Sequence, residues 1–341
     1  MKILVTGGTG YIGSHTTVEL QQQGYEVVIV DNLSNSQADV VEAIGRITGK
    51  RPLFEQFDLV DEERTKEFFN RHHDLKGVIH FAAYKAVGES VEKPLMYYRN
   101  NIVSLINVLE GMIEQNITNF VFSSSCTVYG QPDTLPVSEK APVKKAESPY
   151  GNTKQISEEI IQDTLRSTSL KSIALRYFNP IGAHESALIG ELPIGTPNNL
   201  VPFITQTAIG IRKQLSVFGD DYNTADGSAI RDYIHVMDLA QAHAVAVRRM
   251  IEGKMKHDFE IFNLGTGNGF SVLEVIRSFE KVTGLKLNYK IAGRRAGDVE
   301  QVWADPSYSN IELGWKAKRG LDEMMASAWK WEQVYRRRRG S

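Results

Sequence analysis

Apolar and polar positions follow two different periods along the first half of the chain. Residues 2–6 form a short apolar run that ends in a glycine-rich turn. Residues 11–23 then carry apolar side chains at helical spacing and stop at Gly24. Further short apolar runs lie at 26–30, 77–81, 119–123 and 171–177, with long helical stretches such as 101–114 between them. Strands alternating with helices of this length predict a parallel sheet covered on both faces. Right-handed crossovers make that an α/β, Rossmann-type doubly wound fold. Near Pro180 the texture changes. Gly190-Glu191-Leu192-Pro193 and Thr196-Pro197-Asn198-Asn199 read as long loops, and loops carry binding residues. The second half is therefore expected to be a smaller C-terminal substrate-binding region.

Composition narrows the class without changing this outline. The chain has 341 residues, 42% hydrophobic and 23% charged, which suits one large or two modest globular domains. A net charge of −2 gives the bulk fold no attraction for nucleic acid. The run Arg336 to Arg339 is read as a solvated, disordered tail over 336–341. Cys126 is the one cysteine, so no intramolecular disulfide forms, which fits a reducing cytoplasm. No apolar stretch approaches the roughly 18–20 residues needed to cross a bilayer, and the N-terminus lacks a leader pattern. No membrane partner is expected. HExxH and CxxC spacings are absent, and no protein-bound metal is predicted.

Chemistry enters at the first turn. Gly7, Gly10 and Gly13 space a G-x-x-G-x-x-G loop between a predicted strand and a predicted helix. Glycines let backbone approach a pyrophosphate, and the helix N-terminus offers N–H groups and a positive dipole end to the anion. Alone the pattern is a glycine turn. Asp31 at the end of the second strand adds a carboxylate for the ribose hydroxyls. It would repel a 2′-phosphate, so NAD is favoured over NADP. This gives residues 1–180 as an NAD-binding Rossmann domain. Residues 181–335 are mainly the substrate-binding region, with some segments returning to the sheet.

A second constellation lies downstream. Ser148 can cap a helix whose first position is Pro149. Tyr150 and Lys154, four apart, share one face of its first turns. With 13 tyrosines, about one Y-x-x-x-K match is expected by chance, and this is the one match present. A tyrosine acting as a base near pH 7 needs about 4 kcal/mol of preferential stabilisation of its phenolate. An ammonium, a nicotinamide cation and a helix N-terminus can supply that together. Ser125, at the end of the fourth predicted strand, can hydrogen-bond the same reacting oxygen.

These residues resemble the extended short-chain dehydrogenase/reductase family, and within it the branch that epimerises UDP-hexoses at C4. The resemblance covers nearly the whole chain. It is carried by VTGGTGYIGSHT at 5–16, VDNLSNS at 30–36, IHFAAYKAVGESV at 79–91, FSSSCTVYG at 122–130 and SPYGNTK at 148–154. LRYFNPIGAH at 175–184, PNNLVPF at 197–203, RDYIHVMDLA at 231–240 and RRAGDV at 294–299 continue it. The resemblance implies that Tyr11 and Ile12 bind the pyrophosphate of NAD, and that Asp31, Asn32, Asn35 and Ser36 surround its adenosine. Asp58 and Leu59 flank the adenine. Phe81, Ala82, Ala83 and Lys85 line the channel, and Asn100, Ser125, Tyr150, Lys154 and Phe178 complete the nicotinamide side. Asn179, Asn199, Leu200, Val217, Phe218, Arg231, Tyr233, Arg295 and Asp298 are similar to UDP-sugar contacts, joined by Lys85, Ser125 and Tyr150. Guanidinium groups suit a pyrophosphate because they match it bidentately.

The implied activity is reversible epimerisation of a UDP-hexose through a 4-keto sugar, with Tyr150, Lys154 and Ser125 catalytic. A homodimer through two helices per subunit is implied by the resemblance alone. Nucleotide-sugar 4,6-dehydratases carry an Asp-Glu pair after the strand-end serine or threonine. Here Cys126 and Thr127 stand there, and neither is an acid for elimination. A UDP-glucuronate epimerase or decarboxylase is a nearer alternative. A non-catalytic NAD-sensing regulator is a remote one, disfavoured by retention of the Tyr–Lys pair. Val302 falls where some family members have tyrosine, and its small size is expected to leave room for the 2-acetamido group of UDP-GlcNAc and UDP-GalNAc.

Overall fold

The computed structural model describes residues 1–294 and 299–340. Its strands, in chain order, are β1 (Lys2–Thr6), β2 (Glu26–Asp31), β3 (Leu53–Gln56), β4 (Gly77–His80), β5 (Asn119–Ser125), β6 (Lys171–Tyr177), β7 (Asn179–Ile181), β8 (Leu215–Phe218), β9 (Ile230–His235), β10 (Phe259–Leu264), β11 (Gly269–Ser271), β12 (Tyr289–Ala292) and β13 (Gln301–Val302). Its α-helices are α1 (Tyr11–Gln22), α2 (Asp39–Thr48), α3 (Glu62–Arg71), α4 (Val87–Glu92), α5 (Pro94–Glu114), α6 (Pro149–Leu165), α7 (Leu200–Ala208), α8 (Val236–Ile251), α9 (Val272–Thr283) and α10 (Leu321–Arg339).

Seven strands form one parallel sheet in the order β10-β6-β5-β4-β1-β2-β3. The central strands read as continuous apolar runs because both faces are covered. On one face Val18 and Leu20 of α1 and Leu239 and Val247 of α8 pack over Ile3, Val5 and Ile29. On the other, Phe68 and Phe69 of α3 and Leu105, Val108 and Met112 of α5 pack over Leu4, Val28 and Val78. The chain reverses its direction of travel across the sheet between β1 and β4. The loops after those two strands diverge, and a crevice opens at the carboxyl ends.

The second half builds smaller sheets beside that crevice. β9 pairs with β7, β11 and β13 in one, and β8 with β12 in another. Ile181, Ile204, Val217, Ile276 and Met324 form their core. β10 returns from this half to the edge of the large sheet beside β6.

One expectation is corrected. Residues 336–339 are the last turn of α10 and not a disordered tail; Gly340 caps it in the left-handed region. Cations at a helix C-terminus oppose the negative end of its dipole, which favours helix there. Arg336 also pairs with Glu332 at 2.7 Å, and Arg339 with Asp39 at 3.3 Å. Among the described residues, no helix is long and apolar enough to cross a membrane, and no group of three or more His, Cys, Asp or Glu could hold a metal ion.

Candidate active site

The glycine turn after β1 is closed by steric necessity. Gly7 has φ of +67°, and a Cβ there would lie 2.8 Å from the Ala82 nitrogen. A Cβ on Gly13 would lie 2.3 Å from the Gly7 carbonyl oxygen. Only hydrogen at these positions lets α1 start this close to the sheet. Gly10 caps α1 with no side-chain hydrogen bond, so the helix N-terminus faces the crevice with its own N–H groups. Asp31 at the end of β2 is buried, and its carboxylate accepts from Thr9 N at 3.1 Å, Leu33 N at 2.9 Å and Ser36 Oγ at 3.2 Å. An anion-receptive helix end beside a fixed carboxylate suits a dinucleotide, whose pyrophosphate and ribose need opposite partners.

α6 begins as the sequence predicts. The Ser148 hydroxyl accepts from Gly151 N at 3.1 Å, and Pro149 occupies the first turn. The helix is locked to the sheet further along. Glu158 accepts from Arg176 Nε at 2.9 Å, Arg176 Nη2 at 2.5 Å and Ser124 Oγ at 2.5 Å, and both charged groups are buried. That bidentate pair joins α6 to β6, Ser124 ties the same carboxylate to β5, and together they fix where Tyr150 and Lys154 stand.

Lys154 donates to the Ser123 carbonyl at 2.6 Å. Its ammonium lies 4.8 Å from the Phe122 ring centre and 6.0 Å from that of Tyr150. Burial pushes its pKa down to about 8, against the attraction of Glu158. Burial pushes the Tyr150 phenol up to about 12, while a hydrogen bond with Ser125 pulls the other way. Ser125 Oγ also accepts from Thr127 N at 3.2 Å. The chain's own groups thus assemble the pair but leave the phenol above pH 7. The remaining stabilisation expected from the sequence is that of a nicotinamide cation.

The glycine turn, Asp31, Ser125, Tyr150 and Lys154 line one crevice of roughly 1850 Å³, well above the roughly 300–1,000 Å³ of a one-ligand pocket. Gly7, Gly10, Tyr11, Ile12 and Gly13 line it with Asp31, Asn32, Asn35, Ser36, Asp58 and Leu59 at the end nearest β2. Phe81, Ala82, Ala83, Lys85, Asn100, Ser125, Tyr150, Lys154 and Phe178 line its middle. Asn179, Asn199, Leu200, Val217, Phe218, Arg231, Tyr233 and Val302 complete it from the second half. Arg295 and Asp298 lie outside the described residues. Cys126 and Thr127 also line the crevice, on a 3₁₀ turn after β5.

Three participants escaped the sequence reading. Thr9 anchors Asp31 and bonds Ser36 Oγ at 2.7 Å. The Ser123 carbonyl receives Lys154. Glu191 accepts from Asn199 Nδ2 at 2.6 Å and lies 3.6 Å from Lys85 Nζ. The serine run could have flagged Ser123. Nothing local flags Glu191, whose partners lie in distant segments.

Comparison with known proteins places this geometry. A family model described as GDP-mannose 4,6 dehydratase matches residues 4–328. The UDP-glucose 4-epimerase of Yersinia enterocolitica is 50% identical over 335 residues, covering 98% of this chain and 98% of that protein. The chain belongs to the UDP-glucose 4-epimerase family. A second family member, from Bacillus subtilis, is 50% identical over 97% of both chains. The Stenotrophomonas maltophila UDP-glucose 4-epimerase, crystallised with NAD and formylated UDP-arabinopyranose, is 49% identical with a TM-score of 0.95, covering 99% of each chain. The Bifidobacterium longum UDP-glucose 4-epimerase, in complex with NAD+ and UDP, is 44% identical with a TM-score of 0.93, covering 98% of each.

Proposed function

We propose that this chain interconverts UDP-glucose and UDP-galactose by inverting C4, with NAD as its resident cofactor. The observation that carries this is the meeting of Tyr150, Lys154 and Ser125 midway along one crevice. A dinucleotide cradle lies on one side of them and Asn179, Arg231 and Tyr233 on the other.

The glycine turn, the open N-terminus of α1 and Asp31 hold the cofactor. Bound there, NAD would supply the acceptor and donor for the C4 hydride. Tyr150 as phenolate takes the proton of the 4-hydroxyl, and Ser125 Oγ hydrogen-bonds the same oxygen. Lys154 stabilises that phenolate by its charge. Arg231 and Asn199 grip the diphosphate, Leu200, Val217 and Phe218 pack the uridine side, and the 4-keto sugar turns about its link to UDP. Tyr150 then returns the proton on the new face. Binding energy concentrated on UDP leaves the sugar free to turn.

Cys126 and Thr127 supply no carboxyl acid at the position where elimination needs one, so the keto sugar returns to an alcohol. Val302 presents a small side chain to the sugar end and leaves room for a 2-acetamido group, so UDP-GlcNAc and UDP-GalNAc are further substrates. The enzyme works as a homodimer in the reducing cytoplasm. The exposed Leu95, Ile106 and Ile113 of α5 support a helical interface, and the single thiol supports the compartment.

The test is incubation of purified protein with UDP-galactose and no added NAD. UDP-glucose should form, and Tyr150→Phe should keep its bound NAD yet lose most turnover. Absence of conversion even with NAD supplied would sink the reading.

A further inference from the structure

The sugar end of the crevice is braced by a carboxylate that does not line it. β9 carries Arg231, Asp232 and Tyr233 in succession, and strand alternation sends the first and third into the crevice. Asp232 points the other way and is fully buried. Its Oδ1 accepts from Thr266 N at 2.9 Å and Thr266 Oγ1 at 2.7 Å. Its Oδ2 accepts from Gly267 N at 3.1 Å and Ala304 N at 3.2 Å. One side chain therefore ties β9 to the turn after β10 and to the segment just beyond β13. Space has been left for it: a Cβ on Gly265 would lie 2.3 Å from Oδ2.

The tie matters because β13 is weak by itself. It has two residues, and its register with β9 places Val302 beside Arg231 and Gln301 beside Ile230. So short a ladder does not hold its own spacing. Just past Val302 the segment is held on two sides: Val137 N donates to Trp303 O at 2.9 Å and Asp305 N to Val137 O at 2.8 Å, while the Asp232–Ala304 bond ties it back to β9.

We propose that Asp232 is a positioning residue for substrate, its buried carboxylate fixing the spacing of Arg231 and Val302 across the β9–β13 pair. The inference rests on the UDP-hexose reading of the crevice. It makes the grip on UDP and the room allowed the sugar two consequences of one anchor. Burial disfavours the charged carboxyl, and its backbone donors oppose that. An amide cannot replace it. Turned one way, the asparagine NH₂ group meets the backbone N–H groups of Gly267 and Ala304; turned the other, it meets the Thr266 N–H, with only the Thr266 hydroxyl able to turn and accept, so at least one buried N–H loses its partner either way.

The experiment compares wild type, Asp232→Asn and Thr266→Val as purified proteins. It records bound NAD, the KM and kcat for UDP-galactose, and the kcat/KM ratio of UDP-galactose to UDP-GalNAc. Asp232→Asn should hold NAD at the wild-type level, raise KM about tenfold, lower kcat by less, and change the substrate ratio at least threefold. Thr266→Val, which removes the hydroxyl that donates to Asp232 and accepts from Asn268 N but keeps the Thr266 N–H bond, should move KM and ratio in the same direction by less. A purely structural role would lower NAD content and activity together and leave the ratio alone, which would overturn the proposal. So would a folded Asp232→Asn with KM within twofold of wild type. Where Asp232→Asn does not fold, an unchanged KM and ratio in Thr266→Val overturns it. A wild type without UDP-galactose turnover fails the underlying reading; a working wild type with unmoved variants fails the role of Asp232 alone.

Discussion

Replacing Lys154 by methionine keeps most of the side-chain volume and removes the charge together with the hydrogen bond to the Ser123 carbonyl. The ammonium lies 6.0 Å from the Tyr150 ring centre. Taking that distance as the separation of the two charges, at an effective dielectric constant of roughly 20 the ammonium stabilises the phenolate by about 2.8 kcal/mol. At roughly 1.4 kcal/mol per pH unit, this moves the ionisation of Tyr150 up by about two units. The fraction present as phenolate at neutral pH falls about a hundredfold, and turnover should follow. Wild type should show the same dependence from the other side. With the Lys154 pKa at about 8, raising the pH past 8 discharges the ammonium, so the help given to Tyr150 fades there. The assay is kcat for UDP-galactose against pH, run beside an ultraviolet titration of the phenol. Lys154→Met should displace the phenol's titration to higher pH by about two units and lose the feature near pH 8. Turnover within tenfold of wild type, with the phenol ionising within half a unit of its wild-type position, would refute the electrostatic role.

Other expectations follow from the same contacts. Gly13→Ala places a methyl 2.3 Å from the Gly7 carbonyl oxygen, so the variant should retain little NAD after gel filtration; wild-type content would show that the turn is looser than drawn. Val302→Tyr should reduce kcat/KM for UDP-GalNAc at least tenfold more than for UDP-galactose, and equal losses would remove the size argument. Burial holds His15, His80 and His235 down to about 3 and His243 down to about 4. These folded values lie below the unfolded value near 6.5, so the stability they contribute is present above pH 6.5 and is lost progressively as pH falls toward 3. Unfolding at pH 5 should take up about four protons from this source. Calorimetry in buffers of different ionisation enthalpy measures that uptake, and a Tm unchanged between pH 6.5 and 5 would contradict it.

The sequence made legible whatever is local. β1, β2, β4, β5 and β6 were readable because buried parallel strands are unbroken apolar runs. The glycine turn and the Ser148-Pro149 start of α6 were readable because their geometry is set within a few residues. β3 was not: at an edge, Leu53 to Gln56 are exposed or half-buried and show no apolar run. The end of α10 was misread because four arginines in sequence look solvated, although a helix C-terminus favours them. Tyr150 and Lys154 were found by spacing, but the Glu158–Arg176 pair that fixes their helix was not, since its partners come from α6 and β6. Asp232 marks the limit of such reading. It sits between two crevice residues, and its donors are 34, 35 and 72 residues away.

The central claim is that hydrogen leaves C4 of the sugar and comes back to the same carbon. UDP-galactose carrying deuterium at C4, incubated with the protein in ordinary water, tests it by NMR of the product. The account predicts UDP-glucose with deuterium still at C4 and no solvent hydrogen there. UDP-glucose with the label washed out, or a 4-keto-6-deoxy product, would contradict it.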